Sequence, residues 1–133
     1  MNDSIGQYVA TEVVKLMWQN DQKVKGANIL MLGITFKENC PDVRNTKVVD
    51  VIKNLKEYGT NVTIYDPLAN PAEVMHEYGL KTSKTMHSEK FDAVVLAVSH
   101  NEFLELDLDK FKNGSTVVYD VKGVLGDRCD KKL

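Results

Sequence analysis

Gly33-Ile34-Thr35-Phe36-Lys37-Glu38-Asn39-Cys40-Pro41-Asp42-Val43-Arg44-Asn45-Thr46-Lys47 is a polar stretch set between two apolar ones. Its upstream neighbour, Ile29-Leu30-Met31-Leu32, is short, wholly apolar and closed by Gly33, as a parallel strand covered on both faces would be. Downstream, Val48, Val51, Ile52, Leu55 and Tyr58 recur at helical spacing, and Gly59 stands where a left-handed C-terminal cap is wanted. The stretch therefore reads as a strand-to-helix loop, with the helix spanning Asn45 to Tyr58. In an open α/β sheet such a loop lies at the carboxyl end of a strand, where ligands bind and the next helix presents unpaired N–H groups. Lys37, Arg44 and Lys47 share it with Thr35, Asn39, Asn45 and Thr46. That mixture suits a phosphate-bearing ligand. It equally suits a solvated loop whose basic residues pair with Glu38 and Asp42, and the residues alone leave both readings open.

On either side of the loop, helices and strands alternate. Ser4 to Asp21 carries Ile5, Val9, Val13 and Leu16 on one stripe, widened by Tyr8, Val14, Met17 and Trp18, which makes a helix with a broad apolar surface. Ser4 suits an N-cap, and the Met1-Asn2-Asp3 start is abrupt for a helix this apolar. Packing on its own sheet is preferred for this helix over facing a partner. Val62 to Tyr65 reads as a second strand, Pro71 to Tyr78 as a helix closed by Gly79, Leu80 to Thr82 as a weak third strand, Ala93 to Val98 as a fourth and Thr116 to Asp120 as a fifth. Right-handed crossovers then predict an α/β, Rossmann-like, doubly wound parallel sheet of about five strands in the order 3-2-1-4-5, with helices on both faces and a helix at the N-terminus. Its switch point falls between the first and fourth strands, where the Gly33 to Lys47 loop meets Ser99-His100-Asn101-Glu102-Phe103, with Val121-Lys122-Gly123 close by.

The 133 residues suit one domain with a sizeable core. Seventeen basic residues against 19 acidic ones give a net charge of -2, so neither a nucleic acid nor a membrane surface is an expected partner. Cys40 and Cys129 form no ligand spacing, no signal peptide or long apolar span is visible, and a reducing cytoplasm is the default location. No metal site is expected from His76, His87 or His100. Of the three, only His100 falls near the expected cleft, where capping or surface placement is preferred over ligand contact. Asp107, Asp109 and Asp127 read as solvated acids and caps, and the tail from Asp127 to Leu133 is expected to fray. Asp66 ends the second strand, where dinucleotide-binding folds use a carboxylate on a ribose. The matching G-x-G-x-x-G is missing after Gly33. A self-contained NAD site is therefore not expected, and Asp66-Pro67 is better read as a strand end and turn.

The loop, together with Val62 to Pro67 and Tyr119-Asp120-Val121-Lys122-Gly123, closely resembles the C-terminal, UDP-binding domain of the UDP-glucose/GDP-mannose dehydrogenase family. Within it the wording resembles the branch that oxidises UDP-N-acetyl-hexosamines for bacterial surface polysaccharides. The resemblance covers nearly the whole chain. It implies that residues 1–24 are the end of a central connecting helix and residues 25–133 the UDP-sugar-binding domain. It further implies that Phe36, Lys37 and Lys122 contact the UDP-sugar, Lys122 standing where relatives often have arginine, and that Arg44 reaches NAD held by another domain. Such enzymes oxidise a primary alcohol to a carboxylate with two NAD through a cysteine thiohemiacetal. That cysteine belongs to a G-x-C-x-P motif, which Glu38-Asn39-Cys40-Pro41 does not match. No catalytic residue is therefore expected here, and the chain alone should be inactive. The NAD-binding and central domains of the same polypeptide and a homo-oligomeric parent are the implied partners. A stand-alone nucleotide-binding or regulatory module is the alternative.

Overall fold

Residues 4–86 and 89–133 are described by a computed structural model. The Met1-Asn2-Asp3 start, the Ser4 side chain and His87 lie outside the described residues. The elements are α1 (Ser4–Gln19), β1 (Asn28–Leu32), α2 (Val48–Glu57), β2 (Asn61–Tyr65), α3 (Pro71–Tyr78), β3 (Thr82–Ser83), β4 (Phe91–Leu96), α4 (Asn101–Leu104), β5 (Lys112–Asp120) and β6 (Lys131–Lys132), with short 3-10 turns at Leu108–Phe111 and Gly126–Arg128. The strands form one sheet in the order β3-β2-β1-β4-β5-β6, and each of its pairs is parallel. The expected 3-2-1-4-5 order is thus present, extended by a sixth strand.

Alternation along β1 shows why a wholly apolar strand is needed. Ile29 and Met31 face a core formed with α1 and α2, through Val9, Val13, Met17, Val51, Ile52 and Leu55. Leu30 and Leu32 face the other side, where Phe103, Leu108, Phe111 and Leu125 close a second core. Both faces are dry, so period-2 polarity is lost. α1 lies on its own sheet and against α2, as expected: Val9, Ala10, Val13, Val14 and Met17 are buried, and Ile5, Tyr8 and Trp18 stay exposed.

β3, β4 and β5 are shifted or lengthened by a few residues relative to the expectation, and two further differences have clear reasons. α2 begins at Val48, three residues after Asn45, because Asn45 takes a left-handed φ of 58° and the Thr46 hydroxyl accepts the Val48 N–H at 3.2 Å. The Asp127 to Leu133 tail does not fray. Val118 N–H donates to Asp130 Oδ2 at 2.7 Å, Asp130 N–H to the Val118 carbonyl at 2.8 Å, and Lys131 Nζ meets the Glu12 carboxylate at 2.7 Å. The tail becomes an edge strand tied to α1.

At the switch point Gly33 is required twice over. Its φ is 97°, and a Cβ added there would lie 2.6 Å from Val98 Cβ. Gly33→Ala is expected to destabilise the fold by roughly 2–4 kcal/mol, from left-handed strain plus overpacking, read as a lower midpoint in urea unfolding.

Candidate functional site

Five donors converge on one carboxylate at the carboxyl edge of the sheet. Asp66 is fully buried. Its Oδ2 accepts the N–H groups of Ile34 (2.8 Å) and Thr35 (3.3 Å) and lies 3.0 Å from His100 Nε2, while Oδ1 accepts those of Leu68 (2.8 Å) and Ala69 (3.0 Å). Burial pushes this carboxyl upward, but the hydrogen bonds from His100, Ile34 and Leu68 outweigh it and hold the group below the usual carboxylate range. The strand-end and turn reading of Asp66 is what the fold contains, with a larger span than a local turn. The backbone N–H groups after Gly33, which in a dinucleotide fold face a pyrophosphate, here face Asp66. The residues present do not fit a complete NAD site.

His100 is fully buried rather than on the surface; it holds the N-cap position of α4, without a side-chain cap hydrogen bond. Its Nδ1 accepts the Asn39 N–H at 2.9 Å, so its ring proton sits on Nε2, directed at Asp66. Asn39, left-handed at φ 59°, accepts the Asn101 N–H through its side chain at 2.9 Å. The loops after β1 and β4 are thereby locked together. Asp120, also fully buried, does the same work after β5: it accepts the N–H groups of Lys122 (3.0 Å), Gly123 (2.8 Å) and Leu125 (2.7 Å).

Above these carboxylates lies a cavity of about 230 Å³ that brings together Phe36, Lys37 and Lys122, three of the four residues singled out from the sequence. Its apolar wall is built by Ile5 and Val9 of α1, Val48 and Val51 of α2, Ala97, Val98 and Val121. Lys47 and the first turn of α2 also line it, adding a third ammonium group and the positive end of a helix. Among the described residues, none of Lys37, Lys47 and Lys122 has a carboxylate at salt-bridge distance. Phe36 is 59% exposed and lines the cavity beside these cations.

The structure places Arg44 elsewhere. It lines a wider cleft of about 600 Å³ together with Asp42, Glu73, His76 and Glu77. Its Nε is 3.0 Å from Asp42 Oδ1, and the hydrogen bonds between the two hold the Asp42 carboxyl below its ordinary range. Charge decides between the two clefts: three carboxylates beside Arg44 disfavour a polyanion, whereas three ammonium groups without a carboxylate at salt-bridge distance among the described residues favour one. Cys40 lines the Arg44 cleft as a free thiol. Among the described residues no group of acidic, histidine or cysteine side chains is placed to hold a metal.

The family model described as UDP-glucose/GDP-mannose dehydrogenase family, UDP binding domain, matches residues 30–127. The chain belongs to this family. It is 41% identical, over 137 aligned residues, to the UDP-N-acetyl-D-glucosamine 6-dehydrogenase of Pseudomonas aeruginosa, covering 100% of this chain and 32% of that enzyme. It is 39% identical over 127 residues to Protein CapL of Staphylococcus aureus, covering 94% of this chain and 30% of that one. The chain therefore spans about a third of the length of these family members. The fold is shared with an NDP-N-acetyl-D-galactosaminuronic acid dehydrogenase from Methanosarcina mazei Go1, at a TM-score of 0.80 and 23% identity over 92% of this chain and 26% of the other.

Sequence reasoning found the cavity's polar rim and missed its support. His100 followed a strand at the expected cleft, and the polar Thr35 and Asn39 lay opposite, but only the fold shows the three in contact. Because the folded-state Asp66 carboxyl lies below its unfolded value of about 3.9, its contribution is present above that pH and disappears as pH falls through the lower folded value. Asp66→Asn turns acceptor positions into donors facing N–H groups and is expected to cost about 2 kcal/mol or more at neutral pH. It should also flatten the acid limb of a stability-versus-pH series.

Proposed function

We propose that the chain is the UDP-sugar-contacting part of an NAD-dependent UDP-sugar 6-dehydrogenase, working in the cytoplasm on a UDP-N-acetyl-hexosamine for bacterial capsule or surface polysaccharide synthesis. The observation that carries this is the cavity in which Lys37, Lys47 and Lys122, all unpaired among the described residues, surround an exposed Phe36. A diphosphate answers the cations and a uracil ring answers the aromatic face. The relatives named above support the substrate class. Lys37 supplies a flexible point charge to the diphosphate. Lys122 supplies a second from the β5 loop, without the planar fork an arginine would bring. Arg44, on a separate cleft with its side chain 78% exposed, would meet a dinucleotide held by other domains of the parent by exchanging its Asp42 partner for the ligand. Oxidation of a primary alcohol to a carboxylate removes four electrons, so two NAD accept hydride and water supplies the second oxygen. The parent enzyme is a homo-oligomer in this reading.

Each charge-assisted hydrogen bond contributes on the order of 1.5–3 kcal/mol. Lys37→Ala and Lys122→Ala should therefore each weaken UDP binding by about tenfold or more in calorimetric titration, and Arg44→Ala should leave it unchanged. A wild-type chain that binds NAD more tightly than UDP would sink the assignment. The 133-residue chain carries neither a G-x-G-x-x-G nor a cysteine in a G-x-C-x-P setting. Mixed with UDP-N-acetyl-glucosamine and NAD, it is expected to yield no NADH absorbance.

A further inference from the structure

We propose that His100 is a positioning residue of the nucleotide site, fixing the Phe36-Lys37 loop through the Asn39 N–H without touching the ligand itself. This rests on the UDP reading above. Phe36 and Lys37 are exposed side chains on a span held at both ends. At one end the Thr35 hydroxyl, itself buried, donates to the Lys37 carbonyl at 3.0 Å. At the other, Asn39 is bound through its N–H to His100 Nδ1 at 2.9 Å. Lys122 stands on a different loop, so the spacing of the ammonium groups across the cavity depends on where Asn39 is held. Asp66 directs the ring by taking the Nε2 proton at 3.0 Å, which leaves Nδ1 as an acceptor. Thr35 Oγ1, 3.2 Å away, approaches that same Nε2. Two partners on one nitrogen cannot pass a proton through the ring, so the trio is a structural anchor and not a nucleophile with its base.

Two near-isosteric variants separate anchoring from simple stability. His100→Asn places an amide oxygen where Nδ1 accepts from Asn39 but abandons Asp66. His100→Gln places an amide N–H where Nε2 meets Asp66 but abandons Asn39. Anchoring predicts a crossover: the Asn variant melts lower yet binds UDP within about twofold of wild type, while the Gln variant melts higher than Asn yet binds about tenfold more weakly, a loss of one hydrogen bond's order. Exchange of the Asn39 amide, followed by NMR without ligand, should accelerate in the Gln variant and not in the Asn variant. UDP affinity that simply follows melting temperature, or an unchanged Asn39 exchange rate in the Gln variant, overturns the inference. If wild type binds no UDP, the functional reading falls, and the exchange pattern alone decides whether His100 anchors the loop.

Discussion

A parallel sheet ends badly at its carboxyl edge, because the strands stop together and the next N–H groups have left the ladder without partners. In this chain the Asp66 carboxylate takes four such N–H groups and one imidazole N–H from three separate segments. A carboxylate enclosed without donors would be driven to its neutral form, at a cost of several kcal/mol. Enclosed with five donors, it becomes the point from which the loops after β1, β2 and β4 take their positions. Removing it would leave those donors buried and unmet, so the loops would have to open to water to satisfy them.

Asp120 repeats the same solution one strand away, for the loop that carries Lys122. The site is therefore layered. Two buried acids with backbone donors lie beneath, and a rim of cations lies above, each cation on a loop that an acid or its histidine partner holds. The layering also explains why the dinucleotide signature is absent from a sheet of dinucleotide-binding topology. The turn after Gly33 turns its N–H groups inward to Asp66, leaving no backbone cradle for a pyrophosphate. In the proposed reading, anion recognition passes to the Lys37, Lys47 and Lys122 side chains and to the first turn of α2.

Much of this was legible in the sequence where a single periodicity or cap decides the outcome. The apolar run Ile29 to Leu32, the Gly59 and Gly79 caps, and the crossover rule were enough for the strand order around β1. The start of α2 was not, because Asn45 satisfies helical spacing and departs from it only through a left-handed φ that Asn tolerates and does not require. β6 was invisible for a different reason. Two lysines and a leucine carry no strand signal, and they pair because the adjacent Asp130 accepts the Val118 N–H and Lys131 reaches Glu12, both partners distant in sequence. His100 illustrates the same limit inside the site. Nothing local distinguishes a buried imidazole with three partners from an exposed one, since all its partners lie 34 to 65 residues away.

The cavity's size bears on how the site works. At about 230 Å³ it falls below the roughly 300–1,000 Å³ of pockets that enclose a small ligand, although its chemistry suits a nucleotide diphosphate. A cavity with these groups and too little volume to enclose a ligand suits one wall of a larger site, which is what the reading proposed above requires. α1 supports this from the other side, since Ile5 lines the cavity while remaining 53% exposed. An apolar side chain at the mouth of a cationic cavity gains little from solvent and would gain more from a covering surface. The anchoring of Phe36, Lys37 and Lys122 then has a physical purpose beyond stability. Contacts fixed before a ligand arrives need no ordering when it binds, which is what the proposed reading asks of this rim.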